Sequence, residues 1–214
     1  MKKKPQSMIY TVIGILIAVA VWYFNQHGGG SASTTRSSSG EYEKIEGCKL
    51  IDHKWNDGDS FYVDNGSEKI HYRLYYVDTP ESAYKTYSGG SNNGARLDEQ
   101  GEYFGGLSRD ETAAVGVASK KFVLKLLAKN NFTLLTKHEP VTNRADEERI
   151  HAFVMVQHEG REVYLHELLM EQGLARLKTR GAPLPEGRDY HQQKKHLQSL
   201  EKKAKGKRLG AWSH

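Results

Sequence analysis

Two short stretches carry residues that could do chemistry together. "NDGDS" puts Asp57 and Asp59 on one tight turn, and "VDTPES" puts Asp78 and Glu81 at the end of a strand-like run. Carboxylates from two such places, brought side by side, make a hard, oxygen-rich site of the kind Ca2+ takes. Acids on turns are more ordinarily solvated, and either stretch alone leaves that alternative open. Arg73, five residues before Asp78, adds a planar guanidinium, which beside a cation can grip a phosphate through two parallel hydrogen bonds. Arg149, just ahead of "IHAFVMV", is a second candidate, with an exposed arginine beside acids as its ordinary alternative. Strict strand alternation would set Arg73 and Asp78 on opposite faces, so a twist or bulge near Pro80 is needed to join them.

The elements that must position these groups follow from pattern. "CKLIDHKW" (Cys48–Trp55), "SFYVD" (Ser60–Asp64) and "KIHYRLYYV" (Lys69–Val77) read as three strands joined by the turns "NDGD" and "NGSE". Gly58 and Gly66 supply permissive backbone there, and Pro80 ends the third strand for want of an N–H. Ser82 to Gly106 is polar and glycine-rich and reads as a surface loop. Ser108 and Glu111 form an S-x-x-E capping box, and Val115, Ala118, Phe122 and Leu126 recur at helical spacing after it. "FTLLTKH" (Phe132–His138) and "HAFVMVQ" (His151–Gln157) return to strand character. "YLHELLMEQGLA" reads as a short helix stopped at Gly173, and a last helix runs from about Arg188 to Lys205. The expected fold class is α+β, mainly β: a five-stranded OB-type barrel with about three helices.

Composition qualifies this. The 214-residue chain has 31 Lys plus Arg against 26 Asp plus Glu, and its mean hydropathy of -0.69 is that of a soluble protein. Arg188 to His214 alone holds eight bases against two acids, so the basic balance reflects the chain ends rather than the body. Against this background Met8 to Phe24 is 17 residues without a charge, preceded by three lysines, and just long enough to span a bilayer. Residues 1–27 are expected to be an N-terminal transmembrane helix that places the rest outside the cytoplasm. A cleaved signal segment, which would leave a secreted protein, is the alternative. Residues 28–42 form a Gly/Ser-rich tether, and 43–214 the folded domain, expected to be a monomer. Cys48 is the only cysteine, which excludes an intramolecular disulfide and fits a small apolar strand residue. The histidines give no metal-ligand spacing and read as surface or barrel residues.

"NDGDSFYV", "YRLYYVDTPES", "ERIHAFVMV", "ELLMEQGLARL" and "KRLGAWS", in this order from about Glu43 to His214, resemble the staphylococcal nuclease family. The resemblance implies a Ca2+-dependent endonuclease that acts on DNA and RNA. It implies Asp59 and Asp78 as metal carboxylates and Thr79 as a ligand through its backbone carbonyl. Glu81 would orient or deprotonate the attacking water, and Arg73 and Arg149 would grip the phosphate. There are departures. Glu147 and Glu148 stand where the best-known members carry a Lys-Tyr pair, and the base-stacking tyrosines are replaced around Thr179 to Gly181. The 82–106 loop is longer than the family's, and its Tyr84 and Tyr87 are candidates to restore stacking. A non-catalytic OB module that binds nucleic acid or a protein is the competing reading.

Overall fold

The computed structural model describes residues 34–36, 42–141 and 149–214. The membrane segment, most of the tether, and Glu147 and Glu148 lie outside the described residues. Among the described residues no helix is long and apolar enough to cross a membrane.

Five strands close into a barrel. A short strand β1 (Thr34–Arg36) lies along β2 (Glu43–Leu50) and outside the closed ring. The ring runs β2, β3 (Ser60–Asp64), β4 (Lys69–Leu74), β7 (Arg149–His158) and β6 (Phe132–Pro140), and closes where β6 pairs back onto β2. Only β4 and β7 run parallel; the other ring pairings are antiparallel. This is the closed five-stranded architecture of an OB-type barrel. Alternating side chains fill its interior, with Phe61, Val63, Tyr72, Leu74, Leu134, Val154 and the free Cys48 buried.

The first strand departs from expectation: it is Glu43–Leu50, not Cys48–Trp55. The ladder with β3 ends at the Leu50–Val63 pair. Beyond it the buried Asn56 side chain claims the backbone instead, donating to the Ile51 carbonyl (2.7 Å) and accepting from the Tyr62 N–H (2.9 Å). Ile51 to Asp59 is therefore one long pinned turn rather than strand and tight turn.

The third strand also breaks early. β4 stops at Leu74, Tyr76 takes a left-handed φ of 69°, and the chain resumes as β5 (Val77–Asp78), which pairs with β9 (Arg176–Leu177) instead of the barrel. That break is the irregularity which strand alternation required for Arg73 and Asp78 to meet.

Among the described residues four helices, rather than about three, surround the barrel. α1 (Gly94–Tyr103) lies inside the stretch expected to be a loop. Gly94, Leu97, Gln100 and Gly101 are its buried residues, and Phe104 is buried just beyond it. Its helical period is real but short, and glycine-rich flanks mask it. α2 (Arg109–Lys129) begins at Ser108, and both capping-box bonds form. After β8 (Arg161–Tyr164) come α3 (Leu165–Glu171) and, past β9, α4 (Tyr190–Gly206). Gly173, at φ 66°, follows α3 as expected.

Candidate active site

The turn, the β4–β5 break, α1 and the start of β7 open onto one cleft of about 480 Å3. Asp57, Asp59, Arg73, Thr79, Glu81, Arg96 and Arg149 line it. The turn is fixed to the barrel because the Leu74 N–H donates to the Asp59 carbonyl (2.9 Å). Gly58 is required by proximity rather than by φ: a Cβ there would lie 2.8 Å from Thr79 Oγ1 and 3.1 Å from Ser119 Cβ. The turn thus rests directly on the segment that carries Asp78 and Thr79.

Asp59 and Asp78 are buried and share Arg73. Its Nη1 donates to Asp59 Oδ1 and its Nη2 to Asp78 Oδ1, each at 2.9 Å. The Thr79 N–H donates to Asp59 Oδ2 (2.9 Å). Three further donors reach Asp78, none anticipated from sequence. Arg96 Nη2 is 2.6 Å from Oδ1, Arg176 Nε is 2.8 Å from Oδ2, and Gln100 Nε2 is 3.1 Å from Oδ2. Both carboxylate oxygens therefore accept two hydrogen bonds, which fills their capacity. Gln100 also donates to the Thr79 carbonyl (3.1 Å) and accepts from the Glu81 N–H (3.0 Å). Glu81 receives Arg96 Nε at 2.7 Å and Asn93 Nδ2 at 3.4 Å.

Arg149 reaches the same cleft through the parallel ladder, where it is the register partner of His71, two residues before Arg73. Among the described residues it makes no ion pair. His71, a buried residue of barrel strand β4, also lines the cleft. His151, by contrast, stacks on Tyr75 as a buried residue of the barrel wall.

Charge is unevenly compensated. Burial, then Asp59 and Glu81 nearby, pushes the Asp57 carboxyl up to about 6. Burial also raises Asp59, more than Arg73 lowers it. Burial pushes Asp78 up as well, but Arg96, Arg73 and Arg176 together outweigh it and hold that carboxyl low. Among the described residues no three acidic, histidine or cysteine side chains converge closely enough to enclose a metal ion.

Sequence reasoning missed Arg96, Gln100 and Arg176. The first two ride on the unforeseen helix α1, where the Leu97–Gly101–Phe104 spacing was the available signal. Arg176 sits in "GLARL", 98 residues from Asp78, and nothing local marks it. Thr179 to Gly181 do not line the cleft: Thr179 Oγ1 bonds to the Val77 carbonyl (3.1 Å), and Arg180 pairs with Glu139 (2.9 Å). Tyr87 lines the cleft, whereas Tyr84 lies by Arg109.

The family model described as staphylococcal nuclease homologue matches residues 71–214, more than half of the sequence. The chain belongs to this family. Membership points to nuclease chemistry and to nucleic acid as its ligand. The match begins at His71, so β2, β3 and the Asp57–Asp59 turn precede it, and the β3–β4 ladder carries them to the matched part. A search of curated proteins finds no match.

Proposed function

We propose that the chain is a metal-dependent endonuclease that hydrolyses phosphodiester bonds in DNA and RNA, with Ca2+ as its cation. We propose further that Met8 to Phe24 anchors the chain in a membrane, with the domain outside the cytoplasm as a monomer. The observation that carries the reading is that Asp59, Thr79, Glu81, Arg73 and Arg149 line one cleft, with Asp78 beneath it.

The donors present fit a hard divalent cation. They are carboxylate and carbonyl oxygens, and burial, then Asp59 and Glu81 nearby, raises the Asp57 carboxyl beside them. Asp59, Asp78 and the Thr79 carbonyl would hold the ion, with Asp57 beside them. Once bound, it supplies Lewis acidity and offsets the charge that builds on the phosphate. Arg149, which makes no ion pair among the described residues, takes a phosphate oxygen, and Arg73 lies between Asp59 and Asp78. Both stabilise the pentacoordinate transition state more than the ground state. Glu81, held by Arg96 and Asn93, receives the proton of the water that attacks phosphorus; the departing oxygen is protonated from solvent.

One observation favours a second reading, a module that binds without cutting: all four acceptor sites of Asp78 are engaged, which leaves it no lone pair for a cation. Incubation of the full chain with single-stranded DNA, duplex DNA and RNA, with Ca2+ or a chelator, separates the two. Internal cleavage in Ca2+, falling about 10²–10³-fold in Arg149→Ala and Glu81→Gln, supports the enzyme. A folded chain that cuts none of these with any divalent cation refutes it. For the anchor, carbonate-washed membranes should retain the chain; release into the wash would rule anchoring out. Protease added to intact cells should remove the domain, and sedimentation should give the monomer mass.

A further inference from the structure

A row of aromatic rings runs along the outside of β3 and β4 into the cleft. Trp55 meets His53 edge-on, with centroids 5.3 Å apart, and His53 lies 4.2 Å from Tyr62. Tyr62 stacks on His71 at 4.3 Å with only 15° between the rings. The two ends of the row, Trp55 and His71, both line the cleft. His53 is held in place because its Nδ1 accepts from the Trp55 N–H (3.4 Å).

The two ends differ in kind. Trp55 is 52% exposed, a large apolar ring left in water. His71 is only 7% exposed, yet among the described residues neither of its ring nitrogens has a hydrogen-bond partner. Buried polar side chains ordinarily find partners, so a pair of unmade bonds at a cleft wall asks for a ligand. Burial and the neighbouring Arg149 keep the imidazole neutral, with one donor and one acceptor to offer. Cations flank the row: Lys54 Nζ lies 5.4 Å from the Trp55 ring, and Arg149 is the register partner of His71. Aromatic faces interleaved with positive charge suit an anionic chain whose bases are free to stack, as single-stranded nucleic acid is.

We propose that the row from Trp55 to His71 is a nucleobase-binding wall, on which a base of a single strand stacks against Trp55 while His71 hydrogen-bonds the nucleotide held at Arg149. The wall rests on the reading of nucleic acid as substrate, and it stands in for the stacking residues absent at Thr179 to Gly181. Those residues do not line the cleft, so the strand would cross the barrel on the β3–β4 side.

Fluorescence anisotropy with a labelled twelve-nucleotide oligothymidine tests this, using the full chain in detergent with a chelator present to prevent cleavage. Trp55→Ala should weaken binding about 5- to 150-fold, the span reported by alanine substitution at base-stacking residues. Trp55→Phe should retain most of the affinity, and His71→Leu should weaken it about 2- to 10-fold. A duplex of the same length, whose bases are already stacked, should bind the parent and Trp55→Ala alike. Trp55 is exposed on a turn, so its variants should melt with the parent even if His71→Leu does not. Unchanged single-strand affinity in Trp55→Ala, or an equal loss on the duplex, overturns the wall and leaves the nuclease reading standing. A parent chain that neither binds nor cuts any nucleic acid overturns both.

Discussion

Replacing Gly116 by alanine tests whether the cleft depends on the close approach of α2. On helix propensity alone the change should stabilise by about 0.8–1.0 kcal/mol. The structure argues otherwise. A Cβ at Gly116 would lie 2.6 Å from the Pro80 carbonyl oxygen and 2.5 Å from the Glu81 carbonyl carbon, with the Glu81 oxygen closer still. Ordinary contact begins at 3.4 Å, and these are backbone atoms that cannot rotate aside. The Pro80–Glu81 segment must therefore retreat by about 1 Å, at an overpacking cost of about 1–3 kcal/mol. After the propensity gain, the net loss should be about 0–2 kcal/mol. The larger effect should fall on catalysis, because a displacement of about 1 Å at a reacting group costs on the order of 10²-fold. Urea denaturation and the initial rate of DNA cleavage in Ca2+ report the two effects separately. Gly206→Ala serves as the control, since nothing lies within 4 Å of its Cβ and only the small helical gain should appear. A Gly116→Ala chain that is more stable than the parent and equally active would refute the argument.

Arg176→Met should destabilise by about 3 kcal/mol, because Arg176 and Asp78 are both 1% exposed; Arg73 and Arg96 still serve Asp78, which keeps the loss low in the usual range. A change under about 1 kcal/mol in chemical denaturation would show that the pair is dispensable. The Asp57 carboxyl, raised from 3.8 to about 6, favours the folded state fully below pH 4, and that advantage fades as pH rises through 6. In metal-free protein the loss is about 3 kcal/mol. Asp57→Asn should flatten it, and an identical pH profile in the variant would exclude Asp57 as its source. Ca2+ should raise the melting temperature at pH 7 and much less at pH 4.5, where protonated carboxyls bind cations poorly; equal shifts at both values would point to a site elsewhere.

Local signals carried much of the fold. The Ser108–Glu111 box, the stop at Gly173 and the alternation of Ser60–Asp64 all depend on neighbours in sequence, and all three appear in the structure. The acids of the turn and of the strand end were legible because their types and spacing are unusual together. What stayed hidden was set by distant contacts. Cys48–Trp55 looked like a strand until the Asn56 side chain, bonded to Ile51 and Tyr62, turned the backbone away. Arg73 and Asp78 meet only because Tyr76 adopts φ 69°, which no β-forming tyrosine advertises. α1 is short and begins and continues with glycine, so its Arg96 and Gln100 passed for loop residues.

The span of the Asp78–Arg176 pair bears on how the protein is made. Ribosomes add about 5–20 residues per second, so Asp78 waits about 5–20 s for its partner arginine to be synthesised. Arg149, too, follows long after Arg73, and the Tyr42 hydroxyl bonds to the Pro183 carbonyl across 141 residues. Until those late residues emerge, the nascent chain holds its early carboxylates with Arg73 and Arg96 but without Arg176 and Arg149. A protein whose proposed substrates include RNA thus grows beside its own message with its cutting edge unassembled.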